Sequence, residues 1–394
     1  MTKIPRAAGN DYTPDAADAR RRFLEAATAG RLHHLGQYSF DPATVAGNIE
    51  HFTGVAQVPI GIAGPLLVDG EYARGEFYVP LATTEGTLVA SYNRGMKLVR
   101  EAGGVKTTIS DDAMQRAPVF LFDSAREARA FGRWVSDNID TIRARAEATT
   151  GIGRLRDVEQ YPVARCVFLQ FNYTTGDAAG QNIVSKATKA VCDWMRESYP
   201  DLRHYYLGAA LDSDKRPSHI NLLRTRGKRV TAEATISRAL IWEQLHTTPE
   251  VMFRARQVSN LGTMLSGAVS NGSQPANGLT ALFIATGQDV ANVTESSSAV
   301  AHFEITPDGD YYYSLTLPSL IVATFGGGTG CATQRECLEI LGCHGGGKVQ
   351  KFAEIVAATI LCGELSLAGA VASEEWVASH ERYGRKQGSG AHER

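Results

Sequence analysis

A chain of 394 residues is long enough for two or three domains at roughly 150 residues each. Its 43% hydrophobic and 21% charged residues describe a globular protein with a sizeable core, and a formal charge of −2 argues against nucleic acid or an anionic membrane as a dominant partner. Six cysteines in a chain of this length do not make a disulfide framework, which predicts a reducing, cytoplasmic setting.

The N-terminus, Met1-Thr2-Lys3-Ile4-Pro5-Arg6, has no apolar core of the kind a secretory signal needs. Thr13-Pro14 starts a short Ala-rich helix that Gly30 ends. Its Arg20-Arg21-Arg22 run predicts a solvated face, with a packing arm in an oligomer as the alternative. Across residues 46–82 apolar residues alternate with Gly and Pro, and Asp69-Gly70 predicts a turn between short strands.

A strand over 77–81 then leads into a helix whose Leu88, Tyr92, Gly95 and Val99 fall on one face. Thr83 or Thr84 can cap this helix, which places Glu85, the one charged residue from Val79 to Asn93, in its first turn. A helix N-terminus keeps a carboxylate ionised, whereas dry surroundings keep it protonated, so Glu85 reads either as a cap or as a catalytic acid. Gly103-Gly104 breaks the chain after it.

Residues 110–206 look like a separate unit. Helical charge alternation covers 123–150, strand-like patches lie at 118–121 and 166–171, and Gly176-Asp177-Ala178-Ala179-Gly180-Gln181-Asn182 opens a long amphipathic helix toward Tyr199. Free N–H groups at such a helix entry can hold a cofactor phosphate, although Gly-rich helix starts without ligands are common. The polar loop at 207–218 carries Asp212, Asp214 and Lys215, and on its own it reads first as a surface turn with local ion pairs.

From 257 to 288 there is no charged residue, but Asn, Ser and Gln interrupt the run and predict a buried, polar-laced interior, not a transmembrane helix. Asp289 ends the run as a cap or a functional acid. Gly326, Gly327, Gly328 and Thr329 form a backbone that can approach a ligand closely, or a merely permissive loop. Cys331, Cys337, Cys343 and His344 lie close together, yet their spacings of six match no familiar zinc pattern, so core cysteines and no metal are expected. A buried helix over 352–361, an interruption at Gly363-Glu364-Leu365-Ser366-Leu367 and a further helix lead to His380 and a tail of flexible composition from Gly384.

In this order the stretches resemble the catalytic part of the 3-hydroxy-3-methylglutaryl-coenzyme A reductase family over about residues 48–385. Ala82-Thr83-Thr84-Glu85-Gly86, Asp214-Lys215, Gly287-Gln288-Asp289 and Ser379-His380 match its four catalytic motifs. The stretch 176–182 looks like its cofactor motif, with Ala179 and Gln181 where methionines are usual. Thr-Thr-Glu-Gly is the form of the eukaryotic and archaeal-type class.

The resemblance implies an α+β fold: a large, mostly helical substrate domain with a long central helix (46–109 and 207–394), a small ferredoxin-like cofactor domain inserted at 110–206, and an N-terminal helical extension at 1–45. It implies a soluble homodimer or higher oligomer with active sites at the interface, and no membrane anchor. Family members reduce a thioester to an alcohol in two hydride transfers, releasing coenzyme A, on the route to mevalonate and isoprenoids. Lys215 would stabilise the oxyanion, Glu85 would donate a proton if held protonated, Asp289 would couple to both, and His380 would serve the leaving thiolate.

Implied cofactor contacts are Gly176, Asp177, Ala178, Gly180 and Asn182, with Gly326, Gly327, Gly328 and Thr329. The usual serine–arginine pair for the NADP 2′-phosphate maps to Thr150 and Gly151, with Arg154 nearest, so NADPH is expected and NADH stays open. Asp214, Arg216, Asn277 and Thr108 are the implied substrate contacts. The family holds the substrate's free carboxylate with an arginine, a serine and a lysine, whose positions align here with Thr108, Gly208 and Ser259. Losing two cations weakens that hold unless Lys106 or Arg216 compensates. A different acyl thioester is therefore the first alternative, and a non-catalytic scaffold the second.

Overall fold

The computed structural model describes residues 3–28 and 30–373. Pro14, whose fixed φ suits a first helical position, opens α1 (Pro14–Thr28). The expected solvated arginine face does not form. Arg20 is 1% exposed: its guanidinium donates to the carbonyls of Pro5, Asp11 and Phe52 and pairs with the Asp11 carboxylate. Arg21 donates to Thr53 O at 2.8 Å, which leaves Arg22 as the outward member of the run. Ala17, Val45 and Phe52 form a small core beside these bonds, against Tyr12, Tyr38, Phe40 and Cys331.

β1 (Ile60–Gly70) and β2 (Arg74–Ala82) make the antiparallel hairpin that Asp69-Gly70 predicts. α2 (Leu88–Glu101) buries Leu88, Tyr92, Gly95 and Val99, as their spacing requires. The helix starts later than expected. Thr87, at φ +72°, is its N-cap, so Glu85 lies in the loop before it with its N–H on Thr83 Oγ1 at 3.0 Å.

The chain continues through β3 (Val105–Arg116), β4 (Val119–Leu121), α3 (Ala125–Asp137), α4 (Ile139–Glu147), β5 (Arg154–Val163), β6 (Cys166–Thr174) and α5 (Gln181–Ser198). Then come β7 (His204–Tyr206), α6 (Ile220–Leu223), β8 (Gly227–Ile236), α7 (Arg238–Leu245), α8 (Pro249–Ser266), α9 (Pro275–Thr286) and α10 (Val293–Ser296). β9 (Val300–Ile305), β10 (Tyr311–Leu320), α11 (Ala332–Ile340) and α12 (Val349–Ala372) complete it. The result is a mixed, mainly antiparallel α+β fold, as expected.

β3 is the strand on which the architecture turns. Its first three residues pair in parallel with β1, residues 106–113 pair antiparallel with β8, and its last three pair with β6. Hydrogen bonding runs in the order β7-β4-β6-β3-β8-β10-β9. Met114, Phe120, Phe131, Phe171, Val184 and Val191 belong to one core, between α3, α4, α5 and strands β3, β4 and β6. A larger core gathers around α12.

The interruption expected at Gly363 is absent, because α12 runs unbroken through it. Packing explains that glycine: a Cβ there would lie 2.5 Å from Tyr92 Cζ, and one on Gly95 would lie 1.9 Å from the Cys362 carbonyl oxygen. Gly95 lets the α2 backbone approach the α12 backbone, and Gly363 lets the α12 backbone seat the Tyr92 ring. By length and composition α12 could cross a membrane, but 83% of its most apolar window is buried inside the protein. The uncharged run is less interior than expected, since α8 exposes Val258, Leu261, Met264 and Leu265.

Candidate active site

The polar loop after β7 takes tight turns: Ser213 has φ +49° and Lys215 φ +56°. These turns bring Lys215 Nζ to 2.8 Å from Asp289 Oδ2, a pair with 45% and 46% side-chain exposure. Hydrogen bonding to Asp289 raises the Lys215 pKa, partial burial opposes it, and the charges of Asp289, Asp214 and Glu295 add to the rise. Asp289 follows α9 and also caps the next turn, accepting from Ala291 N at 3.1 Å. Of the two sequence readings of Asp289, the cap is what this bond describes, and the same carboxylate also pairs with Lys215.

Glu85 stands exposed in its loop and accepts from Asn277 Nδ2 at 3.2 and 3.4 Å. Asn277 lies in the first turn of α9, Asp289 beyond its last, and nine residues of helix between Asn277 and Thr286 amount to about 14 Å of axis. No hydrogen bond or ion pair joins Glu85 to Lys215 or Asp289 among the described residues. Within one chain the expected proximity of Asp289 to both holds for Lys215. His380 lies outside the described residues.

The stretch 176–182 meets the glycine loop. Asp177 O accepts Thr324 N at 3.0 Å, and the Asp177 carboxylate accepts the N–H groups of Gly347, Lys348 and Val349 at 2.7, 2.9 and 3.1 Å. Burial raises the Asp177 pKa, but these three backbone donors and the Thr324 hydroxyl outweigh it and leave the carboxyl below its usual range. Asp177 thus caps α12. Ala178 is tied into the same turn by Thr175 Oγ1, which donates to its carbonyl at 3.0 Å.

Gly180, at φ +94°, begins α5 without a side-chain cap, and a Cβ on it would meet Thr175 Cγ2 at 2.4 Å. Asn182 stands exposed beside it on the first turn. Around Gly326 and Gly327 nothing lies within 4 Å of a built Cβ, whereas a Cβ on Gly287 would strike Gly328 O at 2.2 Å. Thr329 is buried, its hydroxyl on Gly326 O at 2.7 Å. Gln181 Nε2 reaches Asn292 Oδ1 at 3.0 Å. The glycine loop, the α5 entry and the Asp289 segment are therefore contiguous.

Thr150 Oγ1 accepts the N–H groups of Ile152 and Gly153, both at 3.1 Å, and Arg154 folds back onto Gly153 O at 3.1 Å. This turn borders the first turn of α5, since Ile183 Cγ2 lies 3.0 Å from a Cβ built on Gly153. Uncapped helical N–H groups, glycines at positive φ and an open glycine loop fit the phosphates of a dinucleotide.

Asp214 faces inward, onto Arg226 Nη2 at 2.6 Å. Arg216 keeps its side chain exposed, and its N–H donates to Glu295 Oε2 at 3.3 Å. Thr108 sits opposite Thr231 on the β3–β8 ladder, eight residues or roughly 25 Å along β3 from Arg116. Arg116 is the side chain β3 delivers to this end: its Nη1 is 2.8 Å from Asp212 Oδ2, and its Nη2 is 2.8 Å from Ser185 Oγ on α5. Gly208 is exposed with nothing within 4 Å of a Cβ, and Ser259 is exposed on α8.

Arg116, Arg226 and Glu295 went unread in the sequence, and Asp212 was read only as part of a polar turn. Gln115-Arg116-Ala117-Pro118, an arginine where an extended strand turns, is a weak signal for the first. Nothing in Arg224-Thr225-Arg226-Gly227-Lys228 separates the buried Arg226 and Lys228 from the exposed Arg224. No group of three or more His, Cys, Asp or Glu side chains suited to a metal occurs among the described residues.

Residues 16–385 match the family described as hydroxymethylglutaryl-coenzyme A reductase. The chain is 45% identical to 3-hydroxy-3-methylglutaryl-coenzyme A reductase of Pyrococcus horikoshii, over 94% of this chain and 92% of that protein. It is 42% identical to the protein of the same name from Methanothermobacter thermautotrophicus, over 94% of each. A solved structure of the class II 3-hydroxy-3-methylglutaryl-CoA reductase from Streptococcus pneumoniae, bound to NADPH in open conformations, shares the fold with a TM-score of 0.67. Its identity is 18%, over 93% of this chain and 100% of that one. The chain belongs to the hydroxymethylglutaryl-coenzyme A reductase family.

Proposed function

We propose that this protein reduces 3-hydroxy-3-methylglutaryl-coenzyme A to mevalonate, releasing coenzyme A and consuming NADPH. The observation that carries the reading is the Lys215–Asp289 pair at 2.8 Å, beside a glycine loop and an uncapped helix entry. The names of its relatives at 42% and 45% identity support it. Bound nicotinamide supplies a hydride in each of two reductions.

The chain's own side chains do the rest. The Lys215 ammonium, kept protonated by Asp289, faces the negative charge that develops on the thioester oxygen. Glu85, oriented by Asn277, supplies a proton to the oxygen as aldehyde becomes alcohol. His380 protonates the departing thiolate. Gly176, Ala178, Gly180 and Asn182, with Thr150, Arg154, Gly326, Gly327, Gly328 and Thr329, would hold the dinucleotide. Asp177 acts through its cap on α12.

Purified protein mixed with the thioester and either nicotinamide should oxidise NADPH. Lys215→Ala should lower kcat by about 10²- to 10³-fold. Near-normal turnover in that variant would sink the assignment of Lys215.

The substrate's free carboxylate needs a cation; Arg216, exposed beside Lys215, is one candidate, and the other is Arg116, which β3 delivers to this loop. Arg116 is already paired with Asp212, whose side chain is 3% exposed. That neutralised arginine, with Thr108, Gly208 and Ser259, favours a second reading in which the thioester lacks a free carboxylate. Hydride consumption with another acyl thioester alone would establish it.

The Thr83-Thr84-Glu85-Gly86 sequence and the archaeal relatives support membership of the eukaryotic and archaeal-type class. Separate hydrophobic cores support an N-terminal extension at 1–45, a cofactor unit at 110–206 and a substrate unit from 46–109 and 207–394. The lack of a hydrogen bond or ion pair between Glu85 and the Lys215–Asp289 pair among the described residues, and the exposed apolar face of α8, support a homo-oligomer with interfacial sites. Six free cysteines suit the cytoplasm.

A further inference from the structure

The Lys215 loop and the Asp289 segment meet twice. The outer meeting is the half-exposed Lys215–Asp289 pair. Beneath it, Arg226 is 1% exposed and spans three acceptors: Glu295 Oε1 at 3.1 Å, Asp214 Oδ1 at 2.6 Å and Gln115 O at 2.9 Å. Glu295 is 0% exposed, and its second oxygen accepts Arg216 N–H at 3.3 Å. The residues on both sides of Lys215 are thus fastened to one buried guanidinium–carboxylate pair. Glu295 belongs to α10, the helix that follows Asp289. Lys215 and Ser213 meanwhile keep φ values of +56° and +49°, which L residues hold only when their surroundings impose them.

We propose that Arg226 and Glu295 are positioning residues that hold the Lys215 ammonium against Asp289. The proposal rests on the role given to Lys215 above. Arg226 fixes the start of the turn through Asp214, and Glu295 fixes its end through the Arg216 N–H. A single rigid body then carries both Lys215 and Asp289. The competing role, a buried ion pair that only stabilises the fold, predicts a different set of measurements.

The test is the kinetics of Glu295→Gln and Arg226→Lys beside Lys215→Ala, with melting curves for each. The charges facing Lys215 are Asp289, Asp214 and Glu295. Once the turn loosens, Lys215 loses its largest contact, so the alkaline limb of the kcat profile should move to lower pH. Kcat should fall about tenfold to a hundredfold, while KM for the thioester changes little. Arg226→Lys keeps the buried cation without its fork and gives the reading if Glu295→Gln does not fold. In Arg226→Met/Glu295→Met neither member of the fully buried pair is left without its counter-charge, and the one-third-exposed Asp214 is left to solvent, so the melting point should recover while kcat does not. Unchanged kcat and alkaline limb in Glu295→Gln or Arg226→Lys, or full recovery of kcat in the double variant, would overturn the proposal. Full turnover in Lys215→Ala would instead defeat the reading of the site.

Discussion

Glu85 depends on a chain of single contacts. Its carboxylate is oriented by Asn277, and Asn277 rides on the first turn of α9. That turn is pinned from below: Glu364 Oε1 accepts Ser273 N at 2.5 Å and Gln274 N at 2.6 Å, while Oε2 faces Arg256 Nη2 at 3.0 Å and Tyr313 OH at 2.8 Å. Tyr92 OH closes the set on Gln274 O at 3.0 Å. Two variants should separate orientation from stability. Asn277→Ala touches the partly exposed end and should lower kcat about tenfold or more with a near-normal melting curve. Glu364→Gln leaves Arg256, a residue 6% exposed, without its counter-charge, and should cost about 3–5 kcal/mol in denaturant unfolding. Equal melting points for Glu364→Gln and the parent would remove the network from this account.

At the level of elements, α12 is organised from a distance. Its N-terminal N–H groups have no cap of their own and take Asp177, from the entry to α5. The Asp177 carboxyl is held below its ordinary range, so its contribution is present at and above the usual carboxylate pKa of about 3.9 and is lost as pH falls through the depressed folded value. Asp177→Asn should cost about 1 kcal/mol at neutral pH and flatten the acid side of the stability profile; an unaltered acid limb would show that the cap carries no weight. The same elements show what a sequence can carry. The α2 face was legible because helical period is local, and so was the β1–β2 turn. Gly363 reads as a breaker until Tyr92 is placed against it, and Arg20 reads as solvated until the carbonyls of Pro5, Asp11 and Phe52 surround it. Motifs brought Lys215 and Asp289 to notice; Arg226 and Glu295 escaped because burial of a charge is decided by segments far apart in the chain.

Taken whole, the described residues leave an apolar helix face open. Val258, Leu261 and Leu265 follow one another at helical spacing on α8 and are 61%, 61% and 89% exposed, with Met264 at 79% beside them. An exposed stripe of this kind marks an interaction site more often than a solvated surface. Burying each leucine contributes about 1.5–3 kcal/mol, so a self-complementary pairing of two such faces would anchor a dimer with two-fold symmetry. Ser259 stands exposed on the same helix. Leu261→Glu and Leu265→Glu should therefore lower the mass seen by light scattering to that of one chain and reduce activity together. The circular dichroism spectrum should be retained, because Leu261 and Leu265 are 61% and 89% exposed. A variant that becomes monomeric and keeps full turnover would show that each chain holds a complete site. One that keeps the parent's mass would move the contact to another face.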